Sequence, residues 1–168
     1  MVTITELESI VEQIKKMGIT EVMLTGGEPL LRCDLLDIVD LCVKQIIEVD
    51  ITTNGIVINE KLAQDIASSR IRHIQVSIDG LNPETNDIIR GKTGSFLKAI
   101  EGINSISKYK VAIGKTRYNR PTMGINTVIV DKNLEDLVGM VDFFKKMEVI
   151  QIYRILIAHH PFGLKKQD

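Results

Sequence analysis

The chain reads as an α/β protein with parallel strands, on three observations. Five short, aliphatic, β-branched runs alternate with helical periods, and such alternation gives parallel strands joined by right-handed crossovers. The runs are apolar enough to lie beneath helices. Three of them end in turns rich in glycine, asparagine or aspartate: Thr25-Gly26-Gly27-Glu28, Thr53-Asn54-Gly55 and Ile78-Asp79-Gly80.

The elements follow in order. Thr5 and Glu8 form a capping-box pattern, and Leu7, Ile10, Val11, Ile14 and Met17 follow at helical spacing before a Gly18 stop, so a helix is predicted over 5–17. A strand over 21–25 runs into the double glycine. Asp34 is placed to cap a helix carrying Leu35, Ile38, Val39 and Cys42. A strand over 48–53 ends at Asn54-Gly55. That dipeptide favours hairpins, but the period of Leu62, Ala63, Ile66 and Ala67 makes it a strand-to-helix turn. The strand over 72–78 leads to a short helix from Asn82 to about Ile89, a glycine break over 91–94, and a helix with Phe96, Ala99, Ile100, Ile103 and Ile106. Lys108, Lys110, Lys115, Arg117 and Arg120 predict a solvated connection after Ser107. A strand over 124–130 precedes Asn133, the predicted cap of a helix with Leu134, Leu137, Val138, Val141 and Phe144. The last strand, about 149–157, ends before His159-His160-Pro161-Phe162-Gly163, read as a turn and not a metal site, with a frayed tail from Leu164.

Composition narrows the function. No repeat, linker or low-complexity segment divides residues 1–168, so one domain is expected. Formal net charge is −1, from 21 basic and 22 acidic residues, which offers no global attraction to nucleic acid or a membrane surface. No apolar run nears the ~20 residues of a membrane span, and no leader pattern opens the chain. Aromatics are 4% with no Trp, so the core must be aliphatic. Cys33 and Cys42 have neither zinc-knuckle nor redox-pair spacing, and a reduced, cytoplasmic protein is expected.

In parallel strands all C-terminal ends share one edge, where α/β proteins bind ligands. That edge gathers Gly26, Gly27, Glu28, Thr52, Thr53, Asn54, Ser77, Asp79 and Asn126. Adjacent glycines let backbone groups approach a ligand closely. The collection suits an ammonium, a carboxylate and a ribose better than a polyphosphate, and no phosphate loop is present. The plainer alternatives are a local turn at Glu28, a helix cap at Asp79, a β-former at Thr52 and a surface ion pair at Arg90.

Leu24-Thr25-Gly26-Gly27-Glu28-Pro29-Leu30-Leu31-Arg32, Thr52-Thr53-Asn54-Gly55 and Val76-Ser77-Ile78-Asp79-Gly80 together resemble three successive motifs of the radical SAM superfamily, in the branch of molybdenum-cofactor and SPASM-type peptide-modifying enzymes. Arg90-Gly91, Gly94-Ser95-Phe96 and Asn126 resemble that branch too, and the likeness runs from about Thr5 to Gly163. The resemblance implies a partial (β/α)6 TIM-like barrel, here missing its first strand. It implies S-adenosylmethionine and a 4Fe-4S cluster as cofactors, and a 5′-deoxyadenosyl radical that abstracts hydrogen from a small-molecule or peptide substrate. It also implies an electron donor such as flavodoxin or ferredoxin. Gly26, Gly27 and Glu28 would meet the methionine ammonium. Ser77 would bond the carboxylate or ribose, with Asp79 a second ribose candidate and Arg90 a partner for the carboxylate. Thr52, Asn54 and Asn126 would face the cofactor or substrate, and Ile155, Leu156 and Ile157 would pack on the adenine.

The chain departs from the family in two ways. The family holds its cluster with a C-x3-C-x2-C loop; Cys33 and Cys42 do not supply it, so the first strand and cluster loop are expected to be absent, through shortening, a misplaced start or a defective gene. On that expectation the chain alone does not perform the radical reaction, and the alternative is a non-catalytic, degenerate ligand-binding barrel. In addition, GTP-using relatives carry an arginine near position 23 and a lysine near 124, where this chain has Met23 and Gly124, which argues against GTP. No cysteine-rich segment for auxiliary clusters is written either, so a peptide substrate gains no support from one. An open barrel exposes strand edges, which makes a homo-oligomer an expectation.

Overall fold

The computed structural model describes residues 2–113, 121–147 and 150–157. Lys115, Arg117 and Arg120, the start of the last predicted strand at Val149, and the 159–163 turn and tail lie outside them.

Five parallel strands form one sheet in the order β1-β2-β3-β4-β5. They are β1 (Glu21–Leu24), β2 (Glu48–Thr53), β3 (His73–Ser77), β4 (Thr122–Ile129) and β5 (Ile150–Ile157), joined through α1 (Ile4–Lys16), α2 (Leu35–Lys44), α3 (Glu60–Ser68), α4 (Pro83–Arg90), α5 (Ser95–Ile113) and α6 (Leu137–Lys146). This is the predicted α/β alternation, strand by strand.

Register divides the sheet into two faces. Leu24, Ile51, Ile74 and Met123 align across four strands and, with Val76, Ile78 and Ile125, turn toward the helices; all but Leu24 are essentially inaccessible. The other face is polar: Asp50, Thr52, His73, Gln75, Ser77, Asn126 and Arg154 alternate with the core residues. The core is mostly aliphatic, as the composition requires, with Phe96 and Phe144 as buried aromatics and Tyr153 stacked on Phe144.

Four local expectations are corrected. The capping box is Thr3 with Glu6, not Thr5 with Glu8, and the helix starts earlier at Ile4; both pairs fit the pattern, and the structure forms the more N-terminal one. Asp34 makes no capping bond, because Arg32 takes its carboxylate at 2.6 and 2.9 Å. The basic stretch after Ser107 continues α5 to Ile113 instead of forming a connection there. Asn133 closes a 3-10 turn, and α6 begins later at Leu137. That shift leaves Val138 exposed and buries Met140 with Phe144.

The Asn54-Gly55 turn is held against α5. Gly55 has φ +74, and a Cβ there would lie 2.8 Å from Val76 Cγ1 and 3.3 Å from Ala99 Cα. Both the left-handed backbone and the close approach exclude a side chain.

Candidate functional site

The C-terminal ends of β1, β2, β3 and β4 meet along one rim, as parallel topology requires. At β1 the chain breaks at Gly26, φ +123, where neither Gly26 nor Gly27 has an atom within 4 Å of a would-be Cβ. Backbone is open to the rim there. Glu28 then starts a 3-10 turn (Pro29–Leu31), accepting from Leu30 N at 3.1 Å. The same Oε1 accepts from Thr53 Oγ1 at 2.7 Å, and Oε2 from Asn54 N at 2.8 Å. Glu28 therefore braces the end of β1 to the end of β2. A carboxylate has about four acceptor sites, and one on Oε2 stays free for a cation.

Thr53, placed at this edge by the sequence but given no role there, is the residue that ties the two strand ends together. Its hydroxyl donates to Glu28 and accepts from Gly55 N at 2.9 Å. Strand alternation was the available signal: Thr52 and Thr53 must point to opposite faces. Thr52 lies on the polar face, its hydroxyl 3.6 Å from Met23 Sδ. Asn54 folds back on itself, Oδ1 accepting from Ile56 N at 2.8 Å.

Ser77 and Asn126 are register partners. Both are half-buried, and neither side chain has a hydrogen-bond partner among the described residues. Ile78 N bonds the backbone oxygen of Asn126 at 3.0 Å, which fixes their separation.

Asp79 is different. It is 3% exposed, with Oδ1 accepting from Val128 N at 2.8 Å and Oδ2 from Arg90 at 2.9 Å. It caps no helix; Asn82 caps α4. Asn133 donates to Asp79 O and Val128 O, both at 2.9 Å, and closes the knot. Arg90 thus has an acid partner, but a buried one and not a surface one.

Leu156 shares its face of β5 with Arg154, whereas Ile155 shares the helix-side face with Tyr153. Leu156 alone of the predicted adenine-packing pair Ile155 and Leu156 is on the polar face, and the Ile157 side chain lies outside the described residues.

A second carboxylate sets the entry to α5. Asp87 accepts from Gly94 N, Ser95 Oγ and Phe96 N at 2.5, 2.7 and 2.9 Å. Burial pushes its carboxyl up, but these donors outweigh that and hold it at about 2.

The thiols do not form a cluster site. Cys33 is exposed and Cys42 is buried on α2, where burial pushes its thiol up. Among the described residues no group of three or more His, Cys, Asp or Glu is placed to hold a metal. The described residues fit an amino-acid nucleoside at the rim and do not fit an iron–sulfur cluster.

The fold is a parallel α/β partial barrel with open glycines, a spare carboxylate site and free hydroxyl and amide groups along one rim. Residues 1–144 match the family described as the Radical SAM superfamily, and the chain belongs to it. It is 33% identical over 119 residues to mycofactocin maturase MftC of Mycolicibacterium smegmatis, covering 68% of this chain and 30% of that one. It is 31% identical over 162 residues to a probable GTP 3',8-cyclase of Methanococcus vannielii, covering 92% and 50%. The fold superposes on anSMEcpe bound to AdoMet and a peptide, with a TM-score of 0.75 at 20% identity over 99% of this chain and 46% of that one. The chain thus spans half or less of the length of these relatives.

Proposed function

We propose that the rim binds S-adenosylmethionine as the core of a radical SAM enzyme. The observation that carries this is the pairing of Ser77 with Asn126: adjacent in register at the strand ends, half-buried, and without partners among the described residues, while the neighbouring Asp79 is satisfied. Polar groups left so are kept for a ligand or for water. The ammonium would share Glu28 Oε2 and backbone carbonyls of the glycine turn, a charge-assisted contact. Ser77 would bond the carboxylate or ribose, Asn126 would bond the ribose, and Leu156 would cover the adenine. Thr52 and Asn54 would line the path to substrate. Asp79 and Arg90 act at one remove, by fixing the β3 end.

With a 4Fe-4S cluster the cofactor supplies hydrogen-atom abstraction. The cluster's ligands are not among the described residues, and a low-potential donor such as flavodoxin or ferredoxin would serve it. The substrate is a small molecule or a peptide. GTP is disfavoured at Gly124, because a Cβ there would stand 2.8 Å from Ile152 O and 2.9 Å from His73 Nε2, which leaves no room for a lysine.

Calorimetric titration of the chain with S-adenosylmethionine tests the rim. Saturable binding, weakened about tenfold by Ser77→Ala or Asn126→Ala, the loss of ~1.4 kcal/mol expected for one hydrogen bond, supports it. No binding by the unmodified chain refutes it. For the whole protein, anaerobic reconstitution should give iron–sulfur absorbance and release 5′-deoxyadenosine; cofactor binding without cleavage would instead support a non-catalytic barrel.

A further inference from the structure

The polar face holds a cation that the proposed cofactor site does not use. Arg154 on β5 is in register with Asn126, and through it with Ser77, so the three form one row across neighbouring strands. Its NH1 donates to Gln75 Oε1 at 2.7 Å. No carboxylate pairs with Arg154 among the described residues. Arginine only donates, so the contact fixes the carboxamide's orientation. Gln75 Nε2 faces elsewhere, without a partner, on a residue 2% exposed.

His73, two positions back on the same face, is 3% exposed with Nε2 unpartnered. Its Nδ1 lies 2.7 Å from Thr122 Oγ1, and that hydroxyl donates to Arg72 O at 3.2 Å. Nδ1 is therefore the donor and Nε2 a bare acceptor. Burial first, then Arg154 and Arg72, pushes the imidazole toward its neutral form against the pull of Asp50.

The contrast with Arg72 is direct. That guanidinium, at the opposite end of the sheet, pairs with Glu21, Glu48 and Asp50 at 2.6, 2.9 and 2.6 Å. A half-buried cation held only by a neutral amide is costly unless an anion completes it.

We infer that Arg154, oriented by Gln75, receives an anionic group of the substrate, a carboxylate or a phosphate. This rests on the cofactor reading for one step. The cofactor's own carboxylate is on the carbon that bears its ammonium, so in that reading it lies between Glu28 and Ser77, on the β1-to-β3 side of the rim. Two strand steps separate β3 from β5, about 10 Å along the sheet at ~4.8 Å each. The remainder of that cofactor, a sulfonium and a nucleoside, carries no anion. Arg154 therefore selects what the reaction acts on. Gln75 is a positioning residue.

The test uses the chain with two simple probes, succinate and inorganic phosphate, followed by NMR of the Arg154 Nε–H and Gln75 Nε2 signals. Saturable shifts with either probe are expected; preference for succinate assigns a carboxylate, preference for phosphate a phosphorylated substrate. Arg154→Gln should weaken the binding about tenfold or more. Gln75→Glu should do the same by giving Arg154 an internal carboxylate, and it keeps the arginine in place should Arg154→Gln fold poorly. S-adenosylmethionine affinity, measured separately, should change less than about twofold in both. Unsaturable shifts, anion binding that survives both variants, or a tenfold loss of cofactor affinity in Arg154→Gln would overturn the inference; the last would assign Arg154 to the cofactor. Anion binding by a chain that does not bind S-adenosylmethionine would refute the cofactor reading and leave the anion site standing.

Discussion

The two ends of the sheet solve the same electrostatic problem in opposite ways. At the N-terminal end Arg72 is saturated by three carboxylates from β1 and β2, and Asp50 is 1% exposed beneath it. The carboxylates and the guanidinium there are closed on one another. At the C-terminal end Ser77, Asn126 and one site on Glu28 stay open, held in place by Thr53, Asn133 and the Asp79–Arg90 pair. Stability is concentrated where groups are closed on one another, and binding is proposed where they are not. The comparison is sharp enough to break.

The largest effect should come from the closed end. Arg72→Met strands the buried Asp50 charge and should cost about 3–5 kcal/mol, read as a lower urea midpoint. A cost below about 1 kcal/mol would mean that this end is no anchor.

Gly124→Ala sharpens the boundary between the ends. Its methyl would meet Ile152 O and His73 Nε2, and overpacking of this kind costs about 1–3 kcal/mol. An unchanged melting temperature would show that His73 yields freely.

Thr53→Val tests the brace. It removes one donor to Glu28 and should cost about 1 kcal/mol while weakening S-adenosylmethionine binding. Stability lost with cofactor affinity intact would separate the brace from the binding site. Ser77→Ala should show the reverse, with stability within ~0.5 kcal/mol and affinity lowered.

The smallest effect is in pH. The His73 imidazole is held below its ordinary 6.5 by burial, so the unfolded chain binds a proton that the folded chain refuses. Stability should therefore fall as pH drops below about 6.5, and His73→Asn should flatten that limb of the urea-midpoint profile. Asp87, held at about 2 against an ordinary 3.8, adds stability that is full above the ordinary value and lost as pH falls through about 2.

The strand–helix order was legible because period and turn chemistry agreed at each step: Gly18, Asn54-Gly55 and Asn82 mark the boundaries they promised. The helix starts were less so. Thr3 and Thr5 offer equivalent boxes, and Asp34 reads as a cap until Arg32, two residues away, is seen to claim it. At the rim, motifs named Glu28, Ser77 and Asn126, but the residues that hold them in place could not be read from local pattern. Thr53, Asn133 and Gln75 act across 25, 54 and 79 positions of sequence, a separation only the folded sheet closes.

The Glu28 clasp makes the rim a mechanical joint as well as a receptor. An ammonium taking the second acceptor site of Oε2 would draw on the same atom that holds the Asn54 amide, so in the proposed reading occupancy and the strength of that bond are linked. Deuterium uptake at the Asn54 amide would then act as a gauge of occupancy, readable without knowing the substrate.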